Sequence, residues 1–471
     1  MLKKIPLHWQ ILAGLVLAVV FGVVFPDRYR IDDDFFKALE KKEYAWSVDA
    51  QYLFGGMAGR SLTQKEFLKV LESRYTVSEL KQTTPHFLEA ARYNRAIRYI
   101  DWIGELFMRA LKMLIVPLVL SSIVSGVAGI GSAAGLGRIT AKTLGFYILS
   151  SLVAIVTGLG LVLLIKPGMG MGLTAVQSAS DLAGMSTFRD TLIGIIPDNI
   201  FAAFTSANML SIIFFAMVTG FFITQLRDDY REKLLFMFTA FSELMLKMTL
   251  WVIRFAPLGV FALVAGVVAG HSDLAGLAEN LGLYFVTVML ALAIHGLITL
   301  PLTIRLLARV NPVKHFRALR VVLLTAFSTS SSGATLPLTM EAVEHKCGVS
   351  NKIASFTLPL GATINMNGTA LYECIAVIFI ANAYGIDLSF GQQVIVVITS
   401  LLAAIGAAAV PMAGLVMMTI ILTAVGLPLE GIGLILTVDR ILDMFRTTIN
   451  VLGDTCGAVI VAKSEGEKLP Q

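Results

Sequence analysis

Windows of about 20 apolar residues recur along nearly the whole chain, each long enough to cross a hydrocarbon core of about 30 Å. Inside a bilayer every backbone N–H and C=O must find a partner within the protein, so chains of this kind are restricted to helices or closed barrels. Runs this long and this apolar are helical, which makes the fold class an all-α membrane protein. The composition agrees: of 471 residues 56% are hydrophobic and only 15% charged, with a mean hydropathy of +0.79. Soluble chains carry roughly 25% charged residues, so a cytoplasmic globular enzyme is excluded. A net charge of +5 reflects basic loops and gives no reason to expect nucleic acid. Cys347, Cys374 and Cys456 are too scattered for a metal site or a disulfide framework.

The charge that is present is unevenly placed. Lys3 and Lys4 precede an apolar run over 5–26 that is too long for a signal-peptide core, so residues 1–26 read as an uncleaved first span with its N-terminus in the cytoplasm. Residues 27–98 hold about a third of all the charged side chains, including Asp32, Asp33 and Asp34, and cannot lie in lipid. Apolar segments follow near 99–131, 137–166, 191–226, 231–269 and 281–308. The loops with Arg138 and Lys142, with Arg227, Arg231 and Lys233, and with Arg305, Arg309, Lys314, Arg317 and Arg320 then fall on the cytoplasmic side. Residues 27–98 fall outside, as an extracytoplasmic insert. There Thr63 and Glu66 have capping-box spacing ahead of Phe67, Leu68 and Leu71. Thr84-Pro85 starts a second helix expected to run into span two. The insert is expected to be a solvated elaboration, with a binding or regulatory module as the alternative.

Residues 311–471 are built differently from the spans of 99–310. The apolar run Val321 to Phe327 stops at a serine-rich tip, Ser328 to Thr335, before Leu336-Pro337 restarts the pattern. A second interrupted segment runs from Val394 through Gly406, Ala407 and Val410 to Gly414 and on to Val425. Two such broken segments point to a transporter binding site assembled from repeats. Between them Gly361 to Thr369 places Thr363, Asn365, Asn367 and Thr369 at every second position, which reads as an unwound helix centre able to offer oxygens to a cation.

The last span carries Asp439, Asp443, Arg446, Asn450 and Asp454, within an arc of roughly 80° on one helical face. Four charges at mid-membrane would cost on the order of 10–14 kcal/mol, so they are expected to face the interior and form a functional site. Arg446 offers a planar fork that matches a carboxylate, and the aspartates offer charge for cations or an ammonium. A purely internal pairing of Arg446 with Asp443, one helical turn away, is the structural alternative.

The tip Ser331-Ser332-Gly333, the stretch Asn365 to Thr369, the tip Gly406 to Gly414 and the stripe Asp443 to Asp454 together resemble the dicarboxylate/amino acid:cation symporters, the glutamate transporter family. The resemblance covers nearly the whole chain outside 27–98. It implies eight transmembrane helices, two re-entrant helical hairpins, inverted repeats, a broken seventh helix, a homotrimer and an elevator motion. By resemblance Arg446 and Thr369 hold a side-chain carboxylate, Asp443 the substrate ammonium, and Asn450 with Ser331 and Ser332 the α-carboxylate. Val410 and Gly414 belong to a hairpin gate. Gly361, Asn365, Asn450 and Asp454 match one sodium site, and the carbonyls of Thr363, Ala404, Ile405 and Ala407 match a second. A third would use Tyr147, Ser150, Ser151, Asn365 and Asn367. At this last position many members have aspartate, so the site is expected to be weakened, with fewer sodium ions or proton coupling as the result. Ser330 also stands where some members carry arginine.

The resemblance therefore implies a symporter in the plasma membrane that imports aspartate or glutamate with sodium, or with a proton, and uses no cofactor. A C4-dicarboxylate would have no use for Asp443, and neutral amino acid carriers tend to lack arginine at the position of Arg446. An anion channel is the alternative of another class. An enzyme is not expected, since no HExxH and no Ser-His-Asp arrangement occurs, and His295 reads as a packed residue.

Overall fold

The computed structural model describes residues 7–40, 47–62, 64–75, 87–88, 90–130, 137–171, 173, 193–194, 196–206, 208–270, 274–406 and 413–469. Among them five segments are long and apolar enough to cross a membrane: Asp101–Gly129, Gly137–Ile165, Asp228–Ile253, Leu274–Ala308 and Asn351–Ala383. Shorter apolar helices accompany them, and large apolar side chains such as Leu17, Leu164, Phe236 and Trp251 lie exposed on the outer surface. An apolar exterior on long helices is that of a multi-pass membrane protein.

In chain order the first helix is α1 (Leu7–Val24). The insert follows with β1 (Arg28–Arg30), α2 (Asp33–Glu40), α3 (Ser47–Phe54), β2 (Ser61–Leu62), α4 (Gln64–Glu72), β3 (Arg92–Tyr93) and α5 (Arg95–Arg98). The three short strands form an antiparallel sheet of order β2-β1-β3, a minor exception to the all-α class. The insert has its own core of Tyr29, Ile31, Phe35, Leu39, Phe54, Phe67, Leu71 and Phe87. Phe67 and Leu71 point inward as their helical spacing predicts, while Thr63 and Thr84-Pro85 lie outside the described residues. The expected run of a helix from residue 84 into span two is not found. Arg92 pairs with Tyr29 across the sheet, and Asn94 then caps α5 by accepting from the Ile97 amide at 3.1 Å. The Asn94 side-chain amide also donates to the Phe25 carbonyl and to Asp27, each at 2.8 Å, and so ties both ends of the insert together.

The membrane part continues with α6 (Asp101–Ile130), α7 (Gly137–Ile165), α8 (Ile200–Thr205), α9 (Met209–Ile223), α10 (Asp228–Ile253), α11 (Ala256–Ala269) and α12 (Leu274–Ile294). The segments expected over 191–226 and 231–269 are each divided. Asn208 caps α9 after α8 has ended, and the second segment turns at Arg254 and Phe255 before Pro257 restarts it as α11. Beyond α12 the helix reaches Ala308 through two π-helical turns, the first holding the buried His295. Then come α13 (Pro312–Thr329), α14 (Ser332–His345), α15 (Asn351–Ile364), α16 (Asn367–Ala383), α17 (Phe390–Gly406), α18 (Ala413–Ala424) and α19 (Ile432–Ser464).

These helices form two groups that share one core and meet where α11 packs on α19 and α6 on α17 and α18. In one, α1 lies along α11, and α6 packs on α9, α10 and α11. In the other, α19 and α16 form the centre, with α7, α12, α13, α14, α15, α17 and α18 around them. The α16 helix is buried on every side from Asn367 to Ala381, as suits a helix apolar all round. Helix α7 belongs to this second group and is fastened at both ends. At one end Asn280 accepts from the Gly168 amide at 2.9 Å, and Asn382 donates to the Pro167 carbonyl at 3.0 Å. At the other, Arg138 and Lys142 hold Glu465, each with a closest contact of 2.6 Å, and Lys142 reaches the Ser464 carbonyl where α19 ends. Cations at the carbonyl end of a helix complement its dipole.

The Arg138 hydrogen bond first, and the Lys142 bond second, pull the Glu465 carboxyl down to about 2. A depressed carboxylate contributes stability above its ordinary range, and loses it as pH falls toward the folded value. The melting temperature of Glu465→Gln is therefore expected to lie below that of the parent by a constant gap from about pH 8 to 5, and the gap to close between about pH 4.5 and 2. A gap that is already closed at neutral pH would remove the clasp from the account.

Candidate functional site

The site is assembled where two broken elements meet α19. The first hairpin turns at Ser330, which ends α13 in a left-handed conformation (φ 50°), and Ser331 caps α14 by accepting from the Ala334 amide at 3.2 Å. The two arms, of 18 and 14 residues, are about 27 and 21 Å long, each short of a hydrocarbon core of about 30 Å. Phe327 meets Phe445 edge-on at 5.0 Å, which seats the hairpin on α19 beside Asp443 and Arg446, and Ser332 is buried. The second hairpin has α17 against α18. Its tip, with Ala407 and Val410, lies outside the described residues, while Ala404 and Ile405 sit at the end of α17 and Gly414 at the start of α18.

The helix break between α15 and α16 is narrower than the nine residues expected. Only Asn365 and Met366 leave the helix; Gly361 and Thr363 end α15, and Asn367, Gly368 and Thr369 begin α16. The reason is that α19 supplies what the broken ends lack. Asn450 accepts from the amides of Gly368 and Thr369 at 2.8 and 3.3 Å, and donates to the Thr369 hydroxyl at 2.9 Å. A side chain of one helix thus caps another across the bundle.

Around the break lies a buried polar cluster. Asn365 donates to Asp454 at 2.9 Å, and its own side-chain oxygen has no hydrogen-bond partner. Tyr147 donates to the Thr357 carbonyl at 2.9 Å, and Ser150 accepts from the Asn367 amide at 3.2 Å. Ser151 is buried on the same helix. The cluster is so close that a Cβ on Gly361 would lie 2.6 Å from an Asp454 oxygen and 2.7 Å from the Tyr147 hydroxyl. Thr363 is exposed, and its hydroxyl bonds back to the Leu360 carbonyl at 3.0 Å.

One to three helical turns along α19, Arg446 is 1% exposed. Its Nη1 donates to Asp439 at 2.7 Å and its Nε to Asp443 at 3.0 Å. The guanidinium stands 4.3 Å from the centre of the Tyr372 ring, in cation–π contact. Its Nη2 pairs with Asp443 at 2.9 Å without the alignment of a hydrogen bond, and faces Gly414, where a Cβ would come within 3.1 Å. The returning arm of the second hairpin therefore closes over the guanidinium. All five polar residues of the α19 stripe are buried, as their common face requires.

Residues 7–464 match the model of a family described as the sodium:dicarboxylate symporter family. The chain belongs to that family. It is 38% identical over 414 residues to an excitatory amino acid transporter of Caenorhabditis elegans, with 78% of this chain and 81% of that protein covered. It is 36% identical to excitatory amino acid transporter 3 of Mus musculus, covering 79% and 80%, and 37% identical to the proton/glutamate-aspartate symporter of Escherichia coli (strain K12), covering 81% and 88%.

Within this family of symporters the sequence pattern missed several site residues. Asp439 was legible as part of the stripe, but its grip on Arg446 was not. Tyr372 and Glu373 sit one turn beyond Thr369 in apolar sequence, and their isolation there was the available signal. Glu373 is fully buried, and neither carboxyl oxygen has a hydrogen-bond partner. Arg440 joins Asp443 at 3.3 Å, a contact that the spacing of three would have suggested.

Gly361→Ala is expected to force the break apart, at a cost on the order of 1–3 kcal/mol. The parent and variant would be compared by thermal melting and by uptake. A variant as stable and active as the parent would show that the close approach at 361 is dispensable.

Proposed function

We propose that the chain is a secondary active symporter that imports an acidic amino acid, aspartate or glutamate, together with sodium. The observation that carries this reading is Arg446, held almost without exposure between two aspartates at the meeting point of both hairpins. A substrate carboxylate suits the guanidinium fork, and can take over the contact now made by Asp439. Asp443 beside it suits the ammonium. Thr369, Asn450, Ser331 and Ser332 supply polar groups for the remaining carboxylate, and the hairpin bearing Val410 and Gly414 acts as the gate. The names of the relatives, for excitatory amino acids and for glutamate and aspartate, support the same substrate class.

Sodium is a hard cation that takes oxygen ligands. The buried Asp454 carboxylate, the unpartnered Asn365 oxygen, Asn450 and the Gly361 carbonyl suit one ion, and carbonyls of Thr363, Ala404, Ile405 and Ala407 a second. A third ion at Tyr147, Ser150, Ser151 and Asn367 is disfavoured. Asn367 turns its NH2 to Ser150 and accepts the Gly368 amide on its oxygen at 2.9 Å, so the amide donates where a cation would need an acceptor. Proton coupling is the second reading. It is favoured by Glu373, a buried carboxyl free to carry a proton, and by the E. coli relative named as a proton symporter.

The two groups support an elevator motion in which α7, α12 and residues 312–464 move as a unit against α1, α6, α9, α10 and α11. A homotrimer in the plasma membrane with a cytoplasmic N-terminus completes the proposal on the strength of the family and the loop charges. An anion channel would conduct without accumulating substrate.

Labelled aspartate is expected to accumulate in proteoliposomes under a sodium or proton gradient. Arg446→Cys should lose aspartate uptake by more than about a hundred-fold and gain preference for serine, since removing one partner of a buried ion pair costs about 3–5 kcal/mol. Failure to accumulate aspartate under every gradient would overturn the reading. Asn367→Asp should steepen the sodium dependence of uptake, and an unchanged dependence would show that the third site is not limited by this side chain.

A further inference from the structure

Asp443 is the residue assigned above to the substrate ammonium, yet both of its oxygens already face guanidinium groups. Oδ1 accepts from Arg446, and Oδ2 accepts from Arg440 Nη1 at 3.3 Å. The two arginines are not equivalent. Arg446 is buried, is shared with Asp439 and lies against Tyr372. Arg440 makes the longer contact, and its side chain is 23% exposed against 5% for Asp443. Of the two, Arg440 is the one that can withdraw, because a long, partly exposed side chain has room to move and its charge favours water over lipid.

We infer that Arg440 is a specificity-determining residue: it holds the charge of Asp443 until a substrate ammonium displaces it, and so sets how strictly the site demands an amino group. This rests on the proposed acidic amino acid function. The charge balance gives the direction. Asp439 and Asp443 carry two negative charges, and Arg440 and Arg446 two positive ones, so the group is neutral as it stands. An amino acid dicarboxylate brings its own ammonium to Asp443 and releases Arg440 toward solvent. A dicarboxylate without an amino group brings nothing for Asp443, and is tolerated because Arg440 stays in place. Without Arg440, that second ligand would meet a carboxylate whose outer oxygen has lost its counter-charge, and like charges repel at this range.

The test compares aspartate with succinate, which differs from it in lacking the amino group. Competition by each against labelled aspartate uptake is measured in proteoliposomes holding the full chain, the parent beside Arg440→Gln and Arg440→Lys. Arg440→Gln is expected to raise the preference for aspartate over succinate by about five-fold, the scale of a partly exposed ion pair. Arg440→Lys, which keeps the charge, is expected to stay within about two-fold of the parent. If Arg440→Gln does not fold, Arg440→Met repeats the measurement with the length of the side chain kept and the charge removed. A parent that accumulates aspartate, with a preference unchanged in the neutral variant, overturns the role of Arg440 alone. A parent that accumulates no acidic amino acid overturns the proposed function, and this role with it. A purely structural effect would lower uptake of both ligands together and leave their ratio alone, which also counts against the inference.

Discussion

The structure depends on how a helix can be broken at membrane depth without leaving its backbone unpaired. Lipid offers no hydrogen bonds, so each amide freed between α15 and α16 has to be met by protein. Asn450 does this from α19 by capping the first amides of α16. Asp454, one turn further, receives the side chain of Asn365 at the break itself. Two residues of α19 thus make the break possible, and the same polar atoms are those assigned to a cation in the proposed function. Under that proposal stability and function are not separable, because the groups that satisfy the backbone are the ones that would surround the ion.

The charged end of the stripe follows a related logic. Arg446, Asp439 and Asp443 are removed from water, and each is costly there alone. They persist because they neutralise one another, with Arg440 contributing from the partly exposed edge. The internal pairing with Asp443 that the spacing of three allows is present, and Asp439 joins it. The pairing holds the guanidinium beneath Gly414, and in the symport proposed above a ligand would enter by exchanging with these partners. Such an exchange would keep the number of buried charges balanced at each step and so limit the cost of moving them.

Much of this was legible in the chain. The stripe Asp439 to Asp454 was visible because helical periodicity is strict over a continuous helix, and α19 is one. The first hairpin was visible because a serine-rich run between short apolar arms has few other uses, and the turn at Ser330–Ser331 falls within it. The extent of the break was misjudged. Alternating polar residues at 363, 365, 367 and 369 suggested a long unwound stretch, but Asn450 allows α16 to start at Asn367 and leaves only two residues outside a helix. In the insert the helical spacing gives the inward face of Phe67 and Leu71 but not the partners that cover it. Phe35, Phe54, Phe67 and Phe87 lie far apart in sequence and form one core, with Phe54 and Phe67 stacked at 4.7 Å.

By itself, then, the sequence determined the solvent this protein lives in, its helical class, and the face of the last helix on which charge would gather. These are local properties, fixed by composition and by the 3.6-residue repeat. Only the tertiary structure decided which atoms meet. It placed Tyr372 over Arg446, set Arg440 against Asp443, and turned the Asn367 amide toward Ser150. Contacts between helices depend on how the helices pack and rotate against one another, and no period within a single segment encodes that.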